Sequence, residues 1–454
     1  MLDARVQSHI SATDNRKSVF SPLINSAHHC QAQLYHDLAI WYCRNAHSDE
    51  LKYQAPAILA AYVLIAFYHH ASTNHLNFRL AVTESVQFVV QNRTQITDSP
   101  SGPDSLQMWF RLCTSHRPAK PPALLLEGQG ASSFGPNLLP DVTEHLYLNC
   151  VLGMGENELI YDILIKTLEI RTKLVVFHCV AQSRQISESS SEVGTLAHEV
   201  LNKMLGRKCA PEEYTEAQEG FVHTSHLLGL LDVQKERLKV WKARFSVDQL
   251  PTDLHGLSIQ HGLKCDAPCF FARPDYSTHR DTMNALYCLL CEAAFEQSSG
   301  VGTSCQTFPM ANGRQVTAFE NIAHTICQIA DMLDFTISST ADVYTLSLAE
   351  VLLQLVLLGK SDEIFHHILD VVWPQLEMNG KGYEHSHYPT HLVKRIIAQV
   401  AVYWKQGRTV TVALPAVPEE IPKFKLLDID HPVNLVVCGF DKAGQHFIEK
   451  FPLP

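Results

Sequence analysis

Three apolar-periodic segments follow one another between Ser21 and Arg93 with little turn chemistry between them, and together they predict a helical bundle. In the first, Ala27, Cys30, Leu34, Leu38 and Trp41 recur at alternating steps of three and four, a single stripe of a 3.6-residue helix that reads as part of the bundle core. Ser21 and Pro22 supply an N-cap and a first-turn proline for it. The second segment, Ala55 to Tyr68, is apolar nearly all round and is expected to be buried on most sides. The third, Leu76 to Val90, is amphipathic through Phe78, Val82, Val86 and Val89, with Arg79, Glu84 and Gln87 left for solvent.

Further along, the breaks are as informative as the periodic runs. Thr97 to Asp104 is turn-rich, and Ser105 to His116 carries Leu106, Trp109, Phe110 and Cys113 at helical spacing. Arg117 to Pro140, rich in proline and glycine, is expected to be a long loop. Asp141 and Glu144 match a capping box that opens a helix over Leu146 to Leu152. Helices follow over Glu156 to Ala181, Thr195 to Leu205 and Phe221 to Phe245, with the serine-rich Ser183 to Ser191 read as a mobile connection. Leu254 to Asp275 is irregular. A second helical set covers Thr282 to Phe295, Val316 to Leu333, Val343 to Leu358, Glu363 to Trp373 and Leu392 to Trp404. Beyond Gly407 the period changes to two: Val410 to Leu414 alternates, and Val433 to Phe440 and Gln445 to Phe451 flank Asp441 to Gly444 as a β-hairpin. The expected architecture is all-α with irregular loops and a short hairpin-like tail. The expected divisions are an N-terminal bundle over 18–116, a main helical region over 141–407 with subdivisions near 183–191 and 246–275, and an extended tail over 408–454.

Composition narrows the function classes. A chain of 454 residues exceeds the size of one typical core. Hydrophobic residues make up 46% and charged residues 18% of it, values that describe a globular protein with a large interior. No apolar run reaches the roughly 18–20 residues that span a bilayer, and Met1 to Arg16 has no apolar signal-peptide core. Thirteen scattered cysteines, an odd number, point to a reducing compartment. The net charge of −11 and the lack of a Lys/Arg run argue against autonomous nucleic-acid binding.

Candidate chemistry is sparse. Cys265 and Cys269, followed by Cys288 and Cys291, loosely resemble a four-cysteine zinc site, but Cys288 and Cys291 lie in an apolar helical run where cysteine packs as a small hydrophobe. His385, His387 and His391, beside Tyr383 and Glu384, could gather imidazoles. Pro389 between them instead reads as a loop entering a helix. The pairs His28/His29, His69/His70 and His366/His367 are helix neighbours about 100° apart and cannot chelate together. Gly128, Gly130 and Gly135 do not form a dinucleotide fingerprint, since no strand precedes them. No nucleophile elbow, metalloprotease motif or paired carboxylates in an apolar frame is present. The residues give no catalytic, cofactor or metal site, and the expectation is a protein that is not an enzyme; the competing reading is a metal-dependent or other enzyme on an α-helical scaffold, with the Cys265/Cys269/Cys288/Cys291 and His385/His387/His391 groups as its candidates.

The order of segments resembles the fungal-specific transcription factor domain, the C-terminal regulatory region of fungal zinc-cluster transcription factors. The resembling pieces are Asp37 to Tyr42, Ile58 to Tyr68, Leu80-Ala81-Val82, Met108 to Leu112, Trp241 with Leu250-Pro251, Ile326 to Ala330, and Arg395 to Val400 with Trp404. They span about Ser18 to Gly407. Two departures stand out: the family's six-cysteine zinc module is not found after Met1, so DNA reading is not carried over, and Asn77 to Ala81 lacks the His and Gly common at that helix start. The resemblance implies a nuclear, all-helical regulatory protein that controls a metabolic or secondary-metabolite gene group through protein contacts. Its partner would be a DNA-binding transcription factor or the transcription machinery. A small-molecule effector and homodimerisation are compatible with the same resemblance.

Overall fold

The structure is a computed structural model, and it describes residues 26–46, 48–71, 75–115, 155–188, 190, 192–206, 224–244, 278–298, 318–335, 345–359, 361–380, 388–416 and 431–454. The capped starts at Ser21 and Asp141, and the helix over Leu146 to Leu152, lie outside these residues. Helix α1 (Ser26–Asn45) packs on α2 (Ser48–Ala71), which in turn meets α3 (His75–Thr97) and α4 (Gly102–Ser115). The second segment takes the central place expected of it, with Ala55, Ile58, Leu59, Val63, Ile65 and Ala66 buried. In α3, Phe78, Val82, Val86 and Val89 are buried while Glu84 and Gln87 face solvent. Trp109 of α4 closes this group: its indole N–H donates to Ser85 Oγ at 3.0 Å, and Ser85 donates onward to the Val82 carbonyl. The large ring is thereby buried without an orphaned donor.

Helix α5 (Glu156–Arg184) is the centre of the remaining chain. Leu159 to Thr167 and Leu174 to Ala181 are buried continuously, so the helix is enclosed on every face. Its neighbours are α4, α6 (Glu192–Leu205), α7 (Thr224–Lys242) and α8 (His279–Ser298), together with the C-terminal sheet. The end of α5 is fixed by Gln185 in the left-handed region, with Gln185 and Ile186 N–H groups returning to Gln182 and Ala181 carbonyls. The stretch expected to be a mobile connection is therefore anchored at its start, because these bonds satisfy helix-end carbonyls that would otherwise need water.

Helix α8 carries α9 (Ala318–Ala330) and α10 (Leu348–Leu358). Helix α10 starts from a capping box in which Ser347 and Glu350 satisfy one another's backbone N–H groups. Helix α11 (Asp362–His366) runs through a π-helical stretch, His367–Val372, into α12 (Trp373–Gly380). Pro389 then precedes α13 (Thr390–Lys405), as expected for a loop entering a helix there.

Gly407, at φ +76°, ends α13 and turns the chain into β1 (Thr409–Ala416), which pairs antiparallel with β2 (Asn434–Phe440). β2 pairs antiparallel with β3 (His446–Pro452), from Phe440 opposite His446 to Asn434 opposite Pro452. The hairpin read from sequence is present, and Asp441 Oδ1 closes its turn by accepting from the Ala443 and Gln445 N–H groups. The ladder is irregular between Val410 and Val412, leaving Thr411 as an extra residue. Gly439 sits opposite that point, where a Cβ would lie 1.8 Å from the Thr409 carbonyl oxygen. Among the described residues the fold is mostly α with one small three-stranded antiparallel sheet. One continuous cluster of buried apolar side chains runs from Ala55 to Leu453.

Candidate functional site

The sequence candidates do not converge. Cys265, Cys269, Tyr383, Glu384, His385, His387 and the Gly128 to Gly135 stretch lie outside the described residues. Cys288 and Cys291 are buried in α8, and burial pushes the Cys288 thiol up to about 11 and the Cys291 thiol well above the usual range. Enclosed in this way, both thiols pack as small apolar groups within α8. His391 sits on the first turn of α13. Among the described residues, no three His, Cys, Asp or Glu side chains are placed to hold a metal ion.

What the fold does assemble lies along α5. Toward its start, Asp162 is enclosed, with its side chain only 3% exposed, and receives Lys166 at 3.1 Å and Arg237 of α7 at 2.7 Å. Arg237 also donates to Gln234 Oε1 at 2.7 Å, and Lys242 bonds Glu292 of α8. One charged layer thus ties α5 to α7. An Asp and a Lys four apart inside the apolar run Leu159 to Leu168 was the available signal, and periodicity alone passes over it.

Toward its other end, α5 is tied to the sheet. His178 Nδ1 bonds Glu188 Oε1 at 2.6 Å, and its ring lies 5.9 Å from that of His446. Burial first, and the neighbouring His178 second, lower the affinity of His446 for a proton. Cys179 donates to the Gly439 carbonyl, and its hydrogen bond with Cys438, together with burial, raises the Cys438 thiol well above its ordinary value. Where Tyr403 of α13 meets the sheet, Arg408 forks onto both oxygens of Glu449, which also accepts from Tyr403 at 3.1 Å, and the guanidinium covers the Phe447 ring at 3.9 Å. These groups join elements to one another.

The surface is different at α1. Leu34 is 58% exposed, Tyr35 61%, Leu38 53% and Trp41 63%, while no described side chain of α1 is fully buried. The stripe read as core faces outward. The reason is that α1 has two apolar faces: Ala39, Ile40 and Cys43 form the other, and it is this one that packs toward the core beside α2. His36 belongs to that inner face, where it stacks on Tyr68 at 4.3 Å and meets His69 Nε2 at 3.3 Å. A contiguous exposed stripe of large apolar side chains is the mark of a contact surface. It is the candidate functional site of the described chain.

The His36–His69 contact predicts how the α1–α2 packing responds to acid. Burial, followed by His36, lowers His69 to about 4. Its folded value is below the ordinary 6.5, so the neutral ring's contribution is complete above about pH 6.5 and is lost as pH falls through about 4. Tyr68 also faces it, and Asp37 bonds the far side of the His36 ring. Chemical denaturation at pH 7 and pH 4.5 is expected to show an acid loss of about 1–2 kcal/mol that His69→Gln removes. An identical acid loss in that variant would assign it to other groups.

Comparison with known proteins supplies no relative: no family model, curated protein or solved structure matches the chain. Among the described residues, no helix is long and apolar enough to cross a membrane.

Proposed function

We propose that this is a regulatory protein of the fungal zinc-cluster transcription-factor type, controlling a metabolic or secondary-metabolite gene group through protein contacts. The observation that carries the reading is the outward apolar face of α1, Leu34, Leu38 and Trp41 with Tyr35, on an acidic and mostly helical body. Amphipathic helices with such a face dock against partner helices. Support also comes from the order of segments resembling that regulatory domain. In this reading the protein works in the nucleus with a DNA-binding factor or the transcription machinery.

Transcript profiling tests it in the source organism. A strain lacking the gene and a strain carrying Leu38→Glu with Trp41→Glu are compared with their parent. The expected result is a coherent change in the same small gene set in both strains. Unchanged transcripts in the deletion strain, with a metabolite missing or accumulated, would overturn the regulatory reading in favour of an enzyme.

A further inference from the structure

Two imidazole nitrogens at the junction of α5 with the sheet are enclosed and have no hydrogen-bond partner: Nε2 of His178 and Nδ1 of His446. A buried polar atom left in this way forfeits the bond that water would give it, so two of them in one place call for a reason. They do share one place. The rings lie 5.9 Å apart, and the His446 N–H donates to Gln182 Oε1, one turn beyond His178 on α5.

Glu188 sets the tautomer of His178. Its Oε1 lies 2.6 Å from Nδ1, and a carboxylate oxygen can only accept, so Nδ1 carries the proton and Nε2 of the neutral ring offers a lone pair. The His178 side chain is 5% exposed, which encloses that lone pair. A carboxylate on the far nitrogen is the support that metal-ligating histidines commonly have, because it fixes the ring and raises the basicity of the other nitrogen. His446 is half-buried and leaves an approach from solvent, while the Phe440 ring, opposite it in the ladder, stands 6.0 Å away as an apolar neighbour.

We propose that Nε2 of His178 and Nδ1 of His446 hold a divalent transition-metal ion of the zinc type between α5 and β3. Zinc–nitrogen bonds of about 2.0–2.1 Å put two imidazoles on one ion with their centroids roughly 5–6 Å apart, and these rings already stand at that separation. Among the described residues no third His, Cys, Asp or Glu joins the pair, so water takes the remaining positions on the side open to solvent. Imidazole donors select zinc or copper over magnesium and calcium, which prefer oxygen. The bound ion joins the end of the central helix to the hairpin.

This site is independent of the regulatory reading. Zinc titration of the full chain, first stripped with a chelator, is expected to show by equilibrium dialysis one ion that His446→Gln and His178→Gln each lose, whatever other ions the chain holds. Zinc is expected to raise the melting temperature of the parent more than that of His446→Gln. Glu188→Gln is expected to bind the same ion about 10–100-fold more weakly. Since His178 is enclosed and its variant can fail to fold, His446→Cys supplies a second measurement: with cobalt(II) it is expected to gain a thiolate-to-cobalt absorption band that the parent lacks. A parent that takes up no zinc, or a zinc count and melting shift that are the same in His446→Gln as in the parent, overturns the proposal.

Discussion

Replacing Asp162 by Ala is expected to destabilise the protein by about 3–5 kcal/mol, the cost found when one partner of a buried ion pair is removed. Lys166 and Arg237 share this carboxylate, and with side chains 4% and 15% exposed neither can recover its hydration by a small movement. The carboxylate itself was costly to bury, so the stability at stake comes less from attraction than from the penalty of two cations left facing each other. Asp162→Asn retains the shape and a carbonyl acceptor, and should cost less than the alanine variant. Urea titration at neutral pH measures both, and an unchanged m-value would show that the difference lies in the folded state. A loss below about 1 kcal/mol for Asp162→Ala would mean that water reaches the cluster and that the pair behaves as a surface one.

This charged layer also marks where sequence reading stopped. Helix existence was legible from the 3.6 period: α3 buries Phe78, Val82, Val86 and Val89, α4 buries Leu106 and Trp109, and helices stand where the patterns of α8 and α13 place them. The change to alternation after Gly407 was enough to place the hairpin. Facing was harder. Helix α1 offers two apolar faces: Ala39, Ile40 and Cys43 pack toward the core, and the larger Leu34, Leu38 and Trp41 lie on the face that no described element covers. Periodicity locates a stripe without saying what lies beneath it. The polar junctions were hidden for a second reason. Asp162 with Arg237, His178 with Glu188, and Cys179 with Cys438 each join positions from different elements, and a charge or imidazole within an apolar run has no visible partner until the fold brings one.

Arg171 is the extreme of that class, and Arg171→Ala is expected to cost about 3–5 kcal/mol. Its side chain is enclosed between α5, α10 and β1, donating at 3.0 Å to the Leu357 carbonyl and at 3.0 Å to the Thr411 carbonyl. Both acceptors are ones the regular structure cannot satisfy. Leu357 is in the last turn of α10, where carbonyls have no further N–H ahead of them and the helix dipole favours a cation. Thr411 is the extra residue at the irregularity in β1, displaced from the ladder. One planar guanidinium therefore serves a helix end and a bulged strand together, and burial lowers its pKa only to about 10, so it stays charged at neutral pH. Arg171→Lys keeps the charge but not the fork, and one ammonium on a shorter stem is expected to hold one carbonyl at most. Arg171→Met fills much of the volume and holds neither. If the carbonyls are what matter, urea stability should fall in the order Arg, Lys, Met, Ala, and amide exchange in β1 should quicken in the same order. A methionine variant as stable as the parent would show that filling the space was enough, and that the bulge carbonyl finds another donor.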